Sequence, residues 1–260
     1  IVLFDDNEIS IDGPTDMAVS DNQSARFEAS GWETYRVDGH NQDDIAAAIE
    51  AARVSEKPSL IACKTIIGYG SPNKEGTAAT HGAPLGADEI AATREKLGWS
   101  HPPFDVPDEL LEAWRAAGRR SAGERQAWNG RLSALDDQAR STFERTMAGE
   151  LPDELEAAVD AYKKSLTDDP PKLATRQSSQ KALNVLTKAA PELVGGSADL
   201  TGSNLTLADG MEAVSAENYG GSHIYYGVRE HGMAAAMNGM ALHGGLIPYG
   251  ATFLIFTDYC

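Results

Sequence analysis

Basic residues are scarce in this 260-residue chain: 22 Lys and Arg stand against 39 Asp and Glu, a net charge of −17. Such a charge repels polyphosphate backbones and argues against a nucleic-acid partner. It says little about small anions, which local donors bind whatever the global charge. Cysteine is nearly absent. Cys63 and Cys260 are the whole complement, too few for a disulfide framework and in keeping with a reducing, cytoplasmic compartment. No apolar run approaches the roughly 20 residues of a membrane span, and the opening residues do not read as a signal peptide. The rest of the composition, 42% hydrophobic and 23% charged, is that of a globular protein.

The first hundred residues alternate strand and helix signals. Ile1–Phe4 reads as a buried parallel strand, and Ile9–Gly13 as a short strand and turn. A helix over Ala18–Ser30 ends at Gly31, a strand covers Trp32–Val37, and Asn41 caps a helix over Asp43–Ser55. A buried strand follows at Ser59–Thr65, then a long glycine-rich loop from Ile66 to Leu85. Loops of that length in compact domains are usually functional. A helix over Ala87–Leu97, with Asp88 near its start, ends at Gly98. This alternation predicts a parallel sheet with helices on its faces.

Strand signals vanish from Trp99 to about Asp169, where helices are expected near Asp108–Ala117, Ala122–Ala148 and Pro152–Lys164. The Asp168-Asp169-Pro170-Pro171 stretch marks a boundary. A second α/β unit follows: helix Thr175–Ala190, strand Leu193–Ser197, a turn-rich stretch, strand Ser222–Tyr226, helix Glu230–His243, strand Leu246–Tyr249 and a new helix from about Phe253. The reading is therefore α/β with three parts: 1–98, a helical connector over 99–170, and 171–260. The chain opens within a strand and stops in an apolar segment at Cys260, so it reads as a fragment of a longer polypeptide whose sheets lack strands.

Glu230 stands out as a carboxylate between a strand end and a helix almost free of charge, where desolvation is costly without a partner and open α/β sheets place ligands. Asn7 and Ile9 follow the first strand, and an Asn side chain with a nearby carbonyl offers oxygens to a hard cation. Taken alone, a plain polar turn after the strand is the simpler reading of them. His81 lies among glycines in the long loop, as a general acid–base or as a solvated histidine. Lys64, Ser71 and Lys74 flank that loop and could assist an anion, though a surface lysine is the default. Arg176 sits at a helix start, fit for phosphate or for a nearby carboxylate. Phe253, Phe256 and Tyr259 recur every three residues, either core or a wall for a flat heterocycle.

Together these motifs resemble the transketolase family. The resemblance is carried by Asp6-Asn7-x-Ile9-Ser10-Ile11-Asp12-Gly13, Lys64-Thr65-Ile66-Ile67-Gly68-Tyr69-Gly70-Ser71, His81-Gly82-Ala83-Pro84-Leu85, Gly195-Gly196-Ser197-Ala198-Asp199-Leu200, Ser203-Asn204-Leu205-Thr206, Tyr226-Gly227-Val228-Arg229-Glu230 and Thr252-Phe253-Leu254. Seven weak motifs in the family's order make a strong one, and they span essentially the whole chain. The resemblance implies two thiamine diphosphate-binding domains, each in part: the second half of the pyrophosphate domain and the first half of the pyrimidine domain. It implies that Asn7 and the Ile9 carbonyl hold Mg²⁺ (or Ca²⁺) on the diphosphate, that Ile67 packs on the cofactor, and that His81 contacts the diphosphate and handles sugar protons. It further implies Asp199 near the thiazolium, Arg176 and Ser203 on the sugar phosphate, and Glu230 on the aminopyrimidine ring with Phe253, Phe256 and Tyr259 around it. His81 and Glu230 would then be the catalytic pair, in an enzyme that transfers a two-carbon ketol unit between sugar phosphates in the pentose phosphate pathway. A homodimer with shared active sites is implied as well. The family's Gly-Asp-Gly metal segment and N-terminal histidines have no counterpart here, so these residues alone are expected to be inactive. A dihydroxyacetone synthase-like ketol transferase is the near alternative, and a non-catalytic cofactor- or partner-binding paralogue the distant one.

Overall fold

The computed structural model describes residues 1–260. The chain forms two units, 1–118 and 119–260. The helix after the first sheet thus groups with that sheet, and the remaining connector helices with the second.

In the first unit β1 (Val2–Asp6), β4 (Glu33–Asp38) and β5 (Ser59–Lys64) form a parallel sheet of order β1-β5-β4. The central strand, β5, is buried from Ser59 to Cys63, as its unbroken apolar run predicts. Its Ile61 and Cys63 pack on Ala48 and Ala52 of α2 (Gln42–Val54), with Tyr35, Val37 and Ile49 around them. Asn41 caps α2, its side-chain oxygen accepting from the amides of Asp43 and Asp44. A two-stranded antiparallel hairpin, β2 (Ile9–Ser10) with β3 (Gly13–Pro14), follows β1.

Several expectations are corrected here. β1 is not buried: Val2 and Leu3 are 42% and 57% exposed, because the strand is an edge paired only with β5. The helix expected over 18–30 is the shorter α1 (Gln23–Ala29), because Asn22 caps it by accepting from the Ala25 amide. α3 (Ala87–Lys96) has Gly86 at its cap position and no side-chain cap. α4 (Asp108–Arg119) ends the unit.

In the second unit the helix expected over 122–148 is two, α5 (Ala122–Ser133) and α6 (Asp137–Ala148). Asp136 breaks the run by capping α6 through the Ala139 amide. α7 (Glu154–Asp168) packs along α8 (Thr175–Ala189). A second parallel sheet has the order β7-β6-β8, formed by β6 (Leu193–Ser197), β7 (His223–Tyr225) and β8 (Ile247–Ala251). A short α9 (Thr201–Asn204) and a longer α10 (Glu230–His243) follow strand ends. The helix expected from Phe253 is a 3-10 turn over Leu254–Tyr259. An Arg145–Glu192 ion pair at 2.8 Å ties α6 to the entry of β6. Burial alone would raise the Glu192 carboxyl, but the Arg145 hydrogen bond and charge outweigh it and leave it lowered.

Candidate functional site

Both sheets are parallel, so in each unit the loops at the C-terminal strand ends gather on one edge. In the first unit these ends are Asp6, Asp38 and Lys64. Asn7 follows directly. Its side-chain oxygen accepts from the Ile9 amide at 3.0 Å, and Glu8 between them takes a left-handed φ of 60°. Ile9 faces Pro14 in a non-hydrogen-bonded pair of the hairpin, next to the Thr15 amide that donates to the Glu8 carbonyl. The Ile9 carbonyl is therefore left over by the hairpin, on the edge where its own amide meets Asn7. Two neutral oxygens, the Asn7 amide and the Ile9 carbonyl, thus suit a hard cation whose other ligands are phosphate and water. No group of three or more His, Cys, Asp or Glu side chains forms a metal cluster.

Lys64, Ser71 and Lys74 each have a protein partner. Lys64 pairs with Glu8 at 2.7 Å, and the hydrogen bond and charge of that lysine lower the Glu8 carboxyl. Ser71 is fully buried against the Glu89 carboxylate. Lys74 Nζ donates to the Leu85 carbonyl at 2.8 Å. Ile67 is half-buried in the same loop, and His81 is exposed near its far end with no side-chain partner. An open cleft of about 1200 Å³ is lined by Asn7, Ile9, Thr65 and Ile66 among others, but not by Ile67 or His81.

Two residues at this edge escaped the sequence reading. His40 accepts from the Ile66 amide at 2.9 Å through Nε2 and stacks on Tyr69 with ring centroids 3.9 Å apart. Its signal was the Asp38-Gly39 step after a strand, since a side chain at Gly39 would run into Thr65 and the Lys64 carbonyl. The other is Glu89, whose carboxylate accepts from Ser71 Oγ, from the Asn73 amide at 2.8 Å and from Asn73 Nδ2 at 2.9 Å. These donors hold its pKa down at about 2.

In the second unit the strand ends are Ser197, Tyr225 and Ala251. Glu230 is the first residue of α10, where the helix dipole favours a negative charge. It is half-buried, and Thr252 Oγ1, just past β8, donates to its Oε1 at 3.1 Å. Its Oε2 has no protein partner, which leaves it for a ligand donor. Phe253 and Phe256 stack with centroids 6.4 Å apart, and Tyr259 continues the row at 6.4 Å. The 3-10 turn explains the row, since residues three apart eclipse at three per turn. All three are exposed in this chain.

Asp199 is exposed just past β6, in a left-handed conformation with φ 60°. Arg176, in the first turn of α8, reaches the Ser203 carbonyl at 3.5 Å, so the structure brings these two together. Beneath them a polar chain fixes the strand end. Asn204 Nδ2 donates to Ser197 Oγ at 2.7 Å, Ser197 Oγ to the Ala251 carbonyl at 3.0 Å, and Thr206 Oγ1 to Asn204 Oδ1 at 3.0 Å.

Residues 1–152 match the family described as "Transketolase, thiamine diphosphate binding domain", and residues 171–260 the one described as "Transketolase, pyrimidine binding domain". The chain is 56% identical to a transketolase of Cereibacter sphaeroides and 53% identical to one of Sinorhizobium medicae, in both cases over its full length. It spans 39% and 37% of those proteins. A solved transketolase of Leishmania mexicana overlays all of it with a TM-score of 0.85 at 35% identity. A Pichia stipitis transketolase complexed with sedoheptulose 7-phosphate covers 99% at 0.85 and 36%. In each solved chain the overlay occupies 39% of the length. Two family matches in register and full-length relatives above half identity place this chain in the transketolase family.

Proposed function

We propose that the protein carrying this chain is a transketolase, transferring a two-carbon ketol unit from a ketose phosphate such as xylulose 5-phosphate to an aldose phosphate. The observation that carries the reading is Glu230: a half-buried carboxylate at a strand-end mouth, held by Thr252 alone, with one oxygen left for a ring donor. Thiamine diphosphate, when bound, supplies the electron sink for the cleaved carbon–carbon bond. This chain's residues bind and orient. Asn7 and the Ile9 carbonyl hold Mg²⁺ or Ca²⁺ on the diphosphate, and Ile67 packs beside the cofactor. Glu230 accepts a hydrogen bond from the aminopyrimidine, and Phe253, Phe256 and Tyr259 wall that ring. Asp199 lies on the thiazolium side. His81 binds the diphosphate and moves protons on the donor sugar, and Arg176 and Ser203 hold its phosphate.

The same reading makes the working unit a cytoplasmic homodimer of the pentose phosphate pathway, Asn7 and His81 from one subunit serving with Glu230 of the other. The test uses the intact protein after chelation. Turnover of xylulose 5-phosphate with an aldose phosphate acceptor should require both thiamine diphosphate and a divalent metal, and Asn7→Ala should raise the metal concentration needed. Turnover that is indifferent to the cofactor would contradict the proposal.

A further inference from the structure

The loop from Ile66 to Gly86 has little regular structure, with only a 3-10 turn at Ala78–Thr80, yet it is densely tied. Gly76 donates to the Ile67 carbonyl at 2.8 Å and Ser71 to the Gly68 carbonyl at 2.9 Å. Residues 71–76 therefore fix the backbone of Ile67 and Gly68. Gly68, at φ 65°, lies so close to Thr80 that a Cβ would meet its Cγ2 at 2.7 Å. Thr80 precedes His81, so the two ends of the loop bear on each other at this point. Lys74 Nζ closes the far end on Leu85. Glu75 Oε2 accepts from the Gly70 amide at 2.9 Å, and Lys96 of α3 holds that carboxylate. Residues 71–73 are in turn held from outside the loop by the Glu89 carboxylate, which takes the Ser71 hydroxyl, the Asn73 amide and Asn73 Nδ2.

We propose that Glu89 is a positioning residue, a latch in α3 that holds the Ile67–His81 loop in its binding shape before any ligand arrives. What the loop then holds rests on the thiamine diphosphate reading above. The chemistry of the latch is specific to an ionised carboxylate of this length. Three donors converge on it, and a carboxylate is acceptor-only. An amide in its place turns an N–H₂ toward one of those donors and leaves it unsatisfied, which costs more than a missing bond. A carboxylate one methylene shorter keeps the charge at the helix start but loses the reach. The low pKa follows from the same three donors.

The experiment uses the intact protein with Glu89→Gln, Glu89→Asp and the milder Asn73→Ala, which removes one donor at an exposed site. Hydrogen exchange is followed in the cofactor-free protein, and thiamine diphosphate with Mg²⁺ is titrated by calorimetry. Exchange over residues 68–76 should quicken about tenfold in both Glu89 variants, and less in Asn73→Ala, while residues 60–63 of β5 keep their protection. The dissociation constant for the cofactor should rise by a similar factor. If Glu89 merely complements the α3 dipole, Glu89→Asp behaves as wild type, and that result overturns the latch. Unchanged loop exchange in Asn73→Ala together with Glu89→Gln overturns it too, and the Asn73 variant decides alone if the Glu89 variants do not fold. Wild-type protein that binds no thiamine diphosphate removes the cofactor reading, and loop exchange still judges the latch.

Discussion

Glu230 and His223 show two ways in which this chain handles a titratable group beside an apolar strand. Glu230 keeps one foot in solvent, sits on a helix start and takes a hydroxyl from Thr252. His223 is fully buried in β7, with Nε2 3.3 Å from Thr201 Oγ1 and Nδ1 without a partner. Burial lowers its pKa. A histidine depressed in the fold is neutral there and charges more readily when unfolded. Its contribution is whole above the unfolded value of about 6.5 and is lost as pH falls through that value toward the folded one. The unfolding free energy from urea titration should therefore fall as pH drops from about 6.5 to 5.5, by up to about 1.4 kcal/mol per pH unit, with little change above about pH 7. His223→Phe should flatten that slope. An equal slope in the variant would assign the acid sensitivity elsewhere. Glu89 acts in a lower window, its contribution being present above about pH 4.5 and lost toward pH 2. The burial of His223 was not legible, because the short strand expected over Ser222–Tyr226 does not tell which of its faces is covered. The position of Glu230 at a helix start was legible, because Gly227 and the apolar run after it mark that start.

At the scale of elements, the sequence speaks clearly where local chemistry decides and poorly where distant contacts do. β6 and α10 fall on the predicted residues, since Leu193–Ser197 is bounded by turn residues and Glu230–His243 by Gly227 and Gly244. The 3-10 turn at Leu254 was missed because its three-residue spacing fits either helix. The loop's order was missed because it depends on Glu89, which is distant in sequence from Ser71 and Asn73. The glycines of β6 carry a further prediction. A Cβ on Gly196 would lie inside the Ile224 carbonyl, and one on Gly195 inside that of Tyr249. Those obstacles are backbone atoms of the neighbouring strands, so the sheet itself must part. Gly196→Ala should cost about 3 kcal/mol. Gly130→Ala, in open space within α5, should instead stabilise by about 1 kcal/mol. Chemical denaturation of both distinguishes the two, and equal effects would contradict this packing.

The chain exposes apolar surface along a sheet edge. β1 leaves one edge unpaired, and Val2, Leu3 and Phe4 line the open cleft with Val19 and Phe27. Such an edge templates association. The charge of −17 opposes it, but at physiological salt that repulsion is screened beyond about 8 Å, so the short-range contact wins. Light scattering of the 260-residue chain by itself should show concentration-dependent association, and Leu3→Lys should suppress it. Association unaffected by that change would point to another surface. The sequence hid this exposure because Ile-Val-Leu-Phe reads the same whether its faces are covered or bare.

Under the proposed ketol transfer, Glu230 is the ring partner of the cofactor. The direct measurement is xylulose 5-phosphate turnover by the intact protein carrying Glu230→Ala, with thiamine diphosphate binding measured on the same sample. Binding should be largely retained and turnover nearly lost. Turnover at the wild-type rate would contradict the role assigned to Glu230.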